Sequence, residues 1–96
     1  MAAEQGDEDA QFSLALAYKS GKGVPKDFSQ VVHWCRKAAE KGNAEAQYEL
    51  ALAYKNGKGV PKDKEQAVQW FGKAAEQGHE DALVDLLKSV LYKDWM

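Results

Sequence analysis

The sequence predicts an all-α protein, an α/α solenoid (superhelix) of about two and a half 36-residue helix-turn-helix repeats with about five helices in all. Three observations carry that prediction. The stretch AYKSGKGVPKD at Ala17–Asp27 returns as AYKNGKGVPKD at Ala53–Asp63, changed only at Ser20 against Asn56. The spacing persists beyond the loop, since residues 7–42 laid on 43–78 give 23 identities in 36 positions. Within each unit apolar residues fall at helical intervals, whereas sustained alternation and β-branched runs, the marks of strands, are missing. Self-similarity at this period marks a solenoid, whose units cannot bury their apolar sides alone and stack to do so.

The elements follow in order. AAEQG at Ala2–Gly6 matches AAEKG at Ala38–Gly42 and AAEQG at Ala74–Gly78. Residues 1–96 therefore read as a single repeat domain: 2–6 end a preceding repeat, 7–42 and 43–78 are complete repeats, and 79–96 are a terminal helix or partial repeat. The first helix of each unit starts at Asp7 or Asn43, both good N-caps, and carries Ala10, Leu14, Ala17, Tyr18 or Ala46, Leu50, Ala53, Tyr54 on one face. The loop follows. Gly21 and Gly57 suit a left-handed helix end, Val24 a plug into the core, and Pro25 a block on helix continuation. Asp27 or Asp63 opens the second helix, with Gln30 or Gln66 three residues on, as in a capping box. Its buried stripe is Val31, Trp34, Cys35, Ala38 or Ala67, Trp70, Phe71, Ala74, and Gly42 or Gly78 ends it. The last helix, EDALVDLLKSVLYKDWM, has more apolar residues than one stripe requires, which predicts self-association as a homodimer through terminal helices, or a neighbouring helix.

Composition removes several function classes. Ninety-six residues bury roughly 60–70% of their unfolded surface, enough for one modest core and no deep interdomain cleft. The net charge of −2, from 13 basic and 15 acidic residues well mixed, argues against nucleic acid as a partner. No apolar run approaches the roughly 18 residues of a membrane span, and MAAEQGDEDA is not a signal peptide. A lone cysteine, Cys35, cannot form an internal disulfide, so the sequence fits a soluble protein of a reducing compartment, with the cytoplasm favoured, but does not by itself name the compartment. The repeated glycine loop is not a phosphate cradle: Gly21-Lys22-Gly23-Val24-Pro25 satisfies neither GxxxxGK[ST] nor GxGxxG, and it follows a helix where both motifs follow a strand.

The combination AQ-x-x-LA-x-x-Y-x-x-G-x-GV-x-x-D, then Trp, KAAE and a closing Gly, resembles the Sel-one-like repeat family, a relative of the tetratricopeptide repeats. The resemblance spans residues 2 to about 92. It departs at Ala15 and Ala51, where the family commonly has Gly, at Val31, where Ala67 keeps the usual small residue, and at Gly72 inside a helix. The resemblance implies an α/α superhelix that acts as a protein–protein interaction scaffold, in bacterial signalling and host contact and in eukaryotic quality control. The paired cysteines of secreted bacterial members are absent.

No catalytic constellation, cofactor site or metal site is expected. His33 and Cys35 are two apart on a helix and point about 200° from each other, so they cannot share a proton. Cys35 aligns with Phe71 and reads as a small buried hydrophobe; His33 aligns with Gln69 and reads as solvated. His79 aligns with the caps Asp7 and Asn43, and two histidines and one cysteine at unrelated spacings make no zinc pattern. Trp34, Trp70, Tyr18 and Tyr54 have the period of packing residues.

What remains is a protein or peptide partner. By resemblance, the first helix of each unit lines the concave face. Aligning the L-A-x-x-Y core puts Asp9, Phe12, Leu16 and Lys19 there, then Glu45, Tyr48, Leu52 and Lys55, then Asp81, Val84 and Lys88. An acidic row, an apolar or aromatic row and a lysine-bearing row would hold a peptide or helix of the partner. The alternative is that Leu16 and Leu52 only pack on the next unit, and that the chain is a structural spacer or a designed or excised fragment of a longer array with no ligand of its own.

Overall fold

The computed structural model of the chain describes residues 6–91. Five helices follow one another in pairs: α1 (Glu8–Ser20), α2 (Phe28–Glu40), α3 (Ala44–Asn56), α4 (Lys64–Glu76) and α5 (Glu80–Leu91). Each helix packs chiefly on the one before and the one after it, and the assembly extends 41 × 25 × 17 Å. There is no strand among the described residues, as the missing alternation predicts.

The ends of the helices are set by short-range chemistry. The Asp7 carboxylate accepts from the Asp9 and Ala10 amides, Asn43 Oδ1 from Ala46, and the Asp63 carboxylate from Gln66. The Asp27 carboxylate accepts from Ser29 and Gln30; the Ser29 hydroxyl, donating to it at 2.7 Å, holds that carboxyl below its usual range, with burial opposing. Each such cap satisfies N–H groups that the first turn leaves without a partner. The capping box expected at Asp27 and Asp63 does not close. Their own N–H groups donate instead to the Tyr18 and Tyr54 carbonyls, at 3.1 and 3.0 Å, which ties each loop back to the helix it left. α2 and α4 end in paired bonds, Gly42 N to Ala39 O with Asn43 N to Ala38 O, and Gly78 N to Ala75 O with His79 N to Ala74 O. This is a Schellman motif, whose left-handed residue is the glycine.

The core is built on few large groups and many alanines. Leu50 and Phe71 are fully buried, Cys35 lies with them, and Ala15, Ala38, Ala46, Ala51, Ala67, Ala74 and Ala82 let the helices approach closely. Cys35 thus holds the position of Phe71 in the other repeat, as the alignment predicts. Val60 packs half-buried against this core, whereas Val24 is half-buried and lies outside the packed set. The difference comes from stacking, because Val60 belongs to the loop that meets the preceding repeat.

Gly59 shows how tight that meeting is. A Cβ there would lie 2.3 Å from the Phe28 carbonyl oxygen, while a Cβ at its counterpart Gly23 would meet nothing within 4 Å. The loop is therefore an interlocking part of the solenoid. Gly72, by contrast, lies inside α4 with ordinary helical φ and open space around its missing Cβ. Gly72→Ala is expected to raise stability by about 0.5–1 kcal/mol in denaturant melts, because glycine gives up more backbone entropy in a helix.

Candidate protein-binding face

The first helices α1, α3 and α5 present the side that carries the expected partner residues. Asp9, Leu16 and Lys19 of α1, Glu45 of α3, and Asp81, Val84 and Lys88 of α5 are exposed; Phe12, Tyr48, Leu52 and Lys55 are half-buried. Phe12, Tyr48 and Leu52 pack against the core.

Several of these side chains also fasten one repeat to the next. Lys19 Nζ lies 3.0 Å from both carboxylate oxygens of Glu49, which bridges α1 and α3. Asp9 accepts from Asn43 Nδ2 at 3.4 Å. Tyr48 is the most engaged: its hydroxyl donates to Asp85 at 2.9 Å, and its ring stacks on His79 at 4.5 Å and meets Phe71 at 5.9 Å. Burial first, then the Asp85 carboxylate, raise the Tyr48 hydroxyl above its ordinary range. His79 caps α5 as the alignment predicts, accepting from Ala82 N at Nδ1 (3.0 Å), while its Nε2 stands 3.2 Å from Glu45. The charged rows are thus partly spent on clips between units.

Other fasteners were not anticipated. Gln47 is buried, donates to the Ala39 carbonyl, and accepts from Gln77, which also donates to the Gly42 carbonyl. Arg36 donates to the Tyr54 hydroxyl across the α2–α3 junction. The signal for Gln47 was in the sequence, since Gln11 and Gln47 recur after Ala10 and Ala46 at the same place in each repeat.

The residues that could suggest chemistry are kept apart. His33 is exposed and edge-on to Trp34 at 4.9 Å, while Cys35 is buried. Among the described residues no group of three His, Cys, Asp or Glu is placed to hold a metal, and no helix is long and apolar enough to cross a membrane. Burial, with Glu49 adding repulsion, pushes the Cys35 thiol up to about 12 from 9.0. The sign follows: the folded chain holds this proton more tightly, so the stability it contributes is present below pH 9 and is lost as pH rises towards 12. Tyr48 acts in the same direction. Urea melts should therefore give lower stability at about pH 10.5 than at pH 7, with a smaller difference in Cys35→Ala.

The Sel1 repeat model matches residues 8–43 and again 44–79. The chain belongs to the Sel1 repeat family. Solved Sel1-type structures agree with the solenoid. A Sel1 repeat protein from Oxalobacter formigenes is 44% identical, with a TM-score of 0.89 over 91% of this chain and 25% of its own. The protective antigen c5321 of uropathogenic Escherichia coli, which displays an SLR fold, is 48% identical, with a TM-score of 0.82 over 84% of this chain and 17% of that one. Helicobacter pylori cysteine rich protein B is 33% identical, with a TM-score of 0.84 over 88% and 64%. The chain thus spans a quarter or less of the first two structures. A search of curated proteins returns no match. Sel1-repeat proteins generally act as protein-interaction scaffolds.

Proposed function

We propose that this chain binds a partner protein by holding an extended peptide or short helix along the outward, concave side of α1, α3 and α5. The observation that carries the reading is the exposure of Leu16 and Val84, 39% and 49% accessible, on helices whose inner sides are buried. Along their helices Asp9, Glu45 and Asp81 come three residues before the apolar strip, and Lys19, Lys55 and Lys88 three or four residues after it. Such a strip suits a ligand that anchors through a few apolar side chains and takes its direction from charge. Leu16, Leu52 and Val84 are the anchoring points. Phe12 and Tyr48 form the floor, because Tyr48 is already held by Asp85 and His79.

The test is partner capture from native extract by two double variants. Leu16→Glu with Val84→Glu should keep the melting temperature and lose capture; His33→Glu with Gln69→Glu, exposed on the second helices, should keep both. Equal capture by the two pairs would refute this face, and a parent chain that captures nothing would favour the spacer alternative.

A second reading rests on α5. Leu83, Leu87, Val90 and Leu91 are 47, 48, 60 and 64% accessible, whereas Gln47, Ala51 and Tyr54, one repeat earlier than the first three, are buried. We infer that two copies pair through α5, each covering the other's apolar side. Sedimentation should give a dimer that Leu87→Lys dissociates; a monomer at high concentration would end this reading.

A further inference from the structure

Phe28 opens α2 and is half-buried at the junction between the repeats. Beside it lies a cavity of about 310 Å³ whose apolar lining includes Val31, Leu52 and Ala53. Two ammonium groups of the same lining stand over the Phe28 ring, Lys26 Nζ at 5.6 Å and Lys58 Nζ at 5.2 Å from its centroid. Among the described residues the lining has one carboxylate, Glu49, and Lys19 already holds it at 3.0 Å. The cavity therefore carries two positive charges that no carboxylate of its own answers. The loop that carries Lys58 lies close against the start of α2, since a Cβ at Gly59 would come within 2.3 Å of the Phe28 carbonyl oxygen.

The stacking of repeats does not require this cavity. One repeat later, Phe28 is replaced by Lys64, Val31 by Ala67, Leu52 by Lys88 and Ala53 by Ser89. The motif residues Gly59, Trp70 and Ala74 recur from Gly23, Trp34 and Ala38. Phe28 and its apolar neighbours do not, so among the described residues this apolar lining is found at this junction and is not repeated one unit later. The cavity volume lies at the low end of ligand pockets, roughly 300–1,000 Å³, and suits one large side chain better than a cofactor.

We propose that the cavity between the two repeats takes an acidic segment of the partner protein: one aliphatic side chain enters between Phe28 and Leu52, and flanking Asp or Glu carboxylates pair with Lys26 and Lys58. This rests on the peptide-binding reading above, shares Leu52 with it, and specifies the chemistry of the partner. Charge complementarity decides the occupant, since an aliphatic segment flanked by lysines would bring like charges to the same mouth.

The probe is an acetylated nonapeptide with one leucine between two glutamates in a glycine-serine background, titrated into ¹⁵N-labelled protein. Shifts should centre on Phe28, Leu52 and Ala53, and weaken as salt rises. The lysine-flanked version should not bind. Lys26→Gln with Lys58→Gln, both exposed and therefore safe for folding, should weaken binding about tenfold. Phe28→Lys, which copies the second repeat, should do the same with its melting followed in parallel. Equal binding of both peptides, shifts centred elsewhere, no binding, or shifts that appear with rising protein concentration alone would each overturn the proposal. The same lysine variants assayed for partner capture separate the two readings. Capture lost in Leu16→Glu with Val84→Glu but kept in the lysine variants leaves the groove standing and removes the cavity; capture unchanged in both sets removes both.

Discussion

Phe71→Ala is expected to cost about 3–5 kcal/mol, the usual range for truncating a buried phenylalanine. Phe71 is the largest fully buried side chain, on α4, and touches Tyr48 of the neighbouring helix. Many of the other buried core residues are alanines, whose short side chains cannot extend to fill the space. For a domain whose whole stability is roughly 5–15 kcal/mol, the loss is about a fifth or more. Chemical melts should show the midpoint falling with little change in slope. A cost below about 1 kcal/mol would mean that the second repeat is not held by this core.

Gly59→Ala is the second large effect, and Gly23→Ala is its internal control. Both glycines have nearly the same positive φ, 80° and 79°, so both substitutions carry the left-handed penalty of about 1 kcal/mol. Only at Gly59 does the new methyl group strike backbone, 2.3 Å from the Phe28 oxygen. Backbone cannot rotate aside as a side chain can, so overpacking adds roughly 1–3 kcal/mol there. Gly23→Ala should thus cost about 1 kcal/mol and Gly59→Ala about 2–4 kcal/mol in the same assay. Equal costs would show that the loop does not interlock with the repeat before it.

Much of this solenoid is legible in the sequence because its controlling chemistry is local. Asp7, Asn43, Asp63 and even His79 act within three residues of themselves, so spacing alone identifies them as caps. Cys35 could be placed in the core because Phe71 stands 36 residues on in the same helical phase. The period cannot say which copies of a motif meet a neighbour. Gly23 and Gly59 read alike, and only stacking sets one against backbone and leaves the other open. Tyr48 shows the same limit. The pattern puts it on a face with Phe12, yet His79 and Asp85, from the following repeat, hold it there. The capping box failed for a related reason: the Asp27 amide finds the Tyr18 carbonyl once the loop turns back, a partner nine residues away that no cap motif includes. The cavity at Phe28 needs the Lys58 loop beside α2, and that approach exists only after the repeats stack.

The central claim is that the first helices of the repeats, rather than the second, form the recognition surface. A backbone amide shift map of the labelled chain, recorded with the captured partner, tests it most directly. Perturbations are expected along the exposed side of α1, α3 and α5, at Leu16, Leu52 and Val84, with the junction at Phe28 included. Perturbations confined to the outward residues of α2 and α4, at His33, Lys37, Gln69 and Lys73, would contradict it.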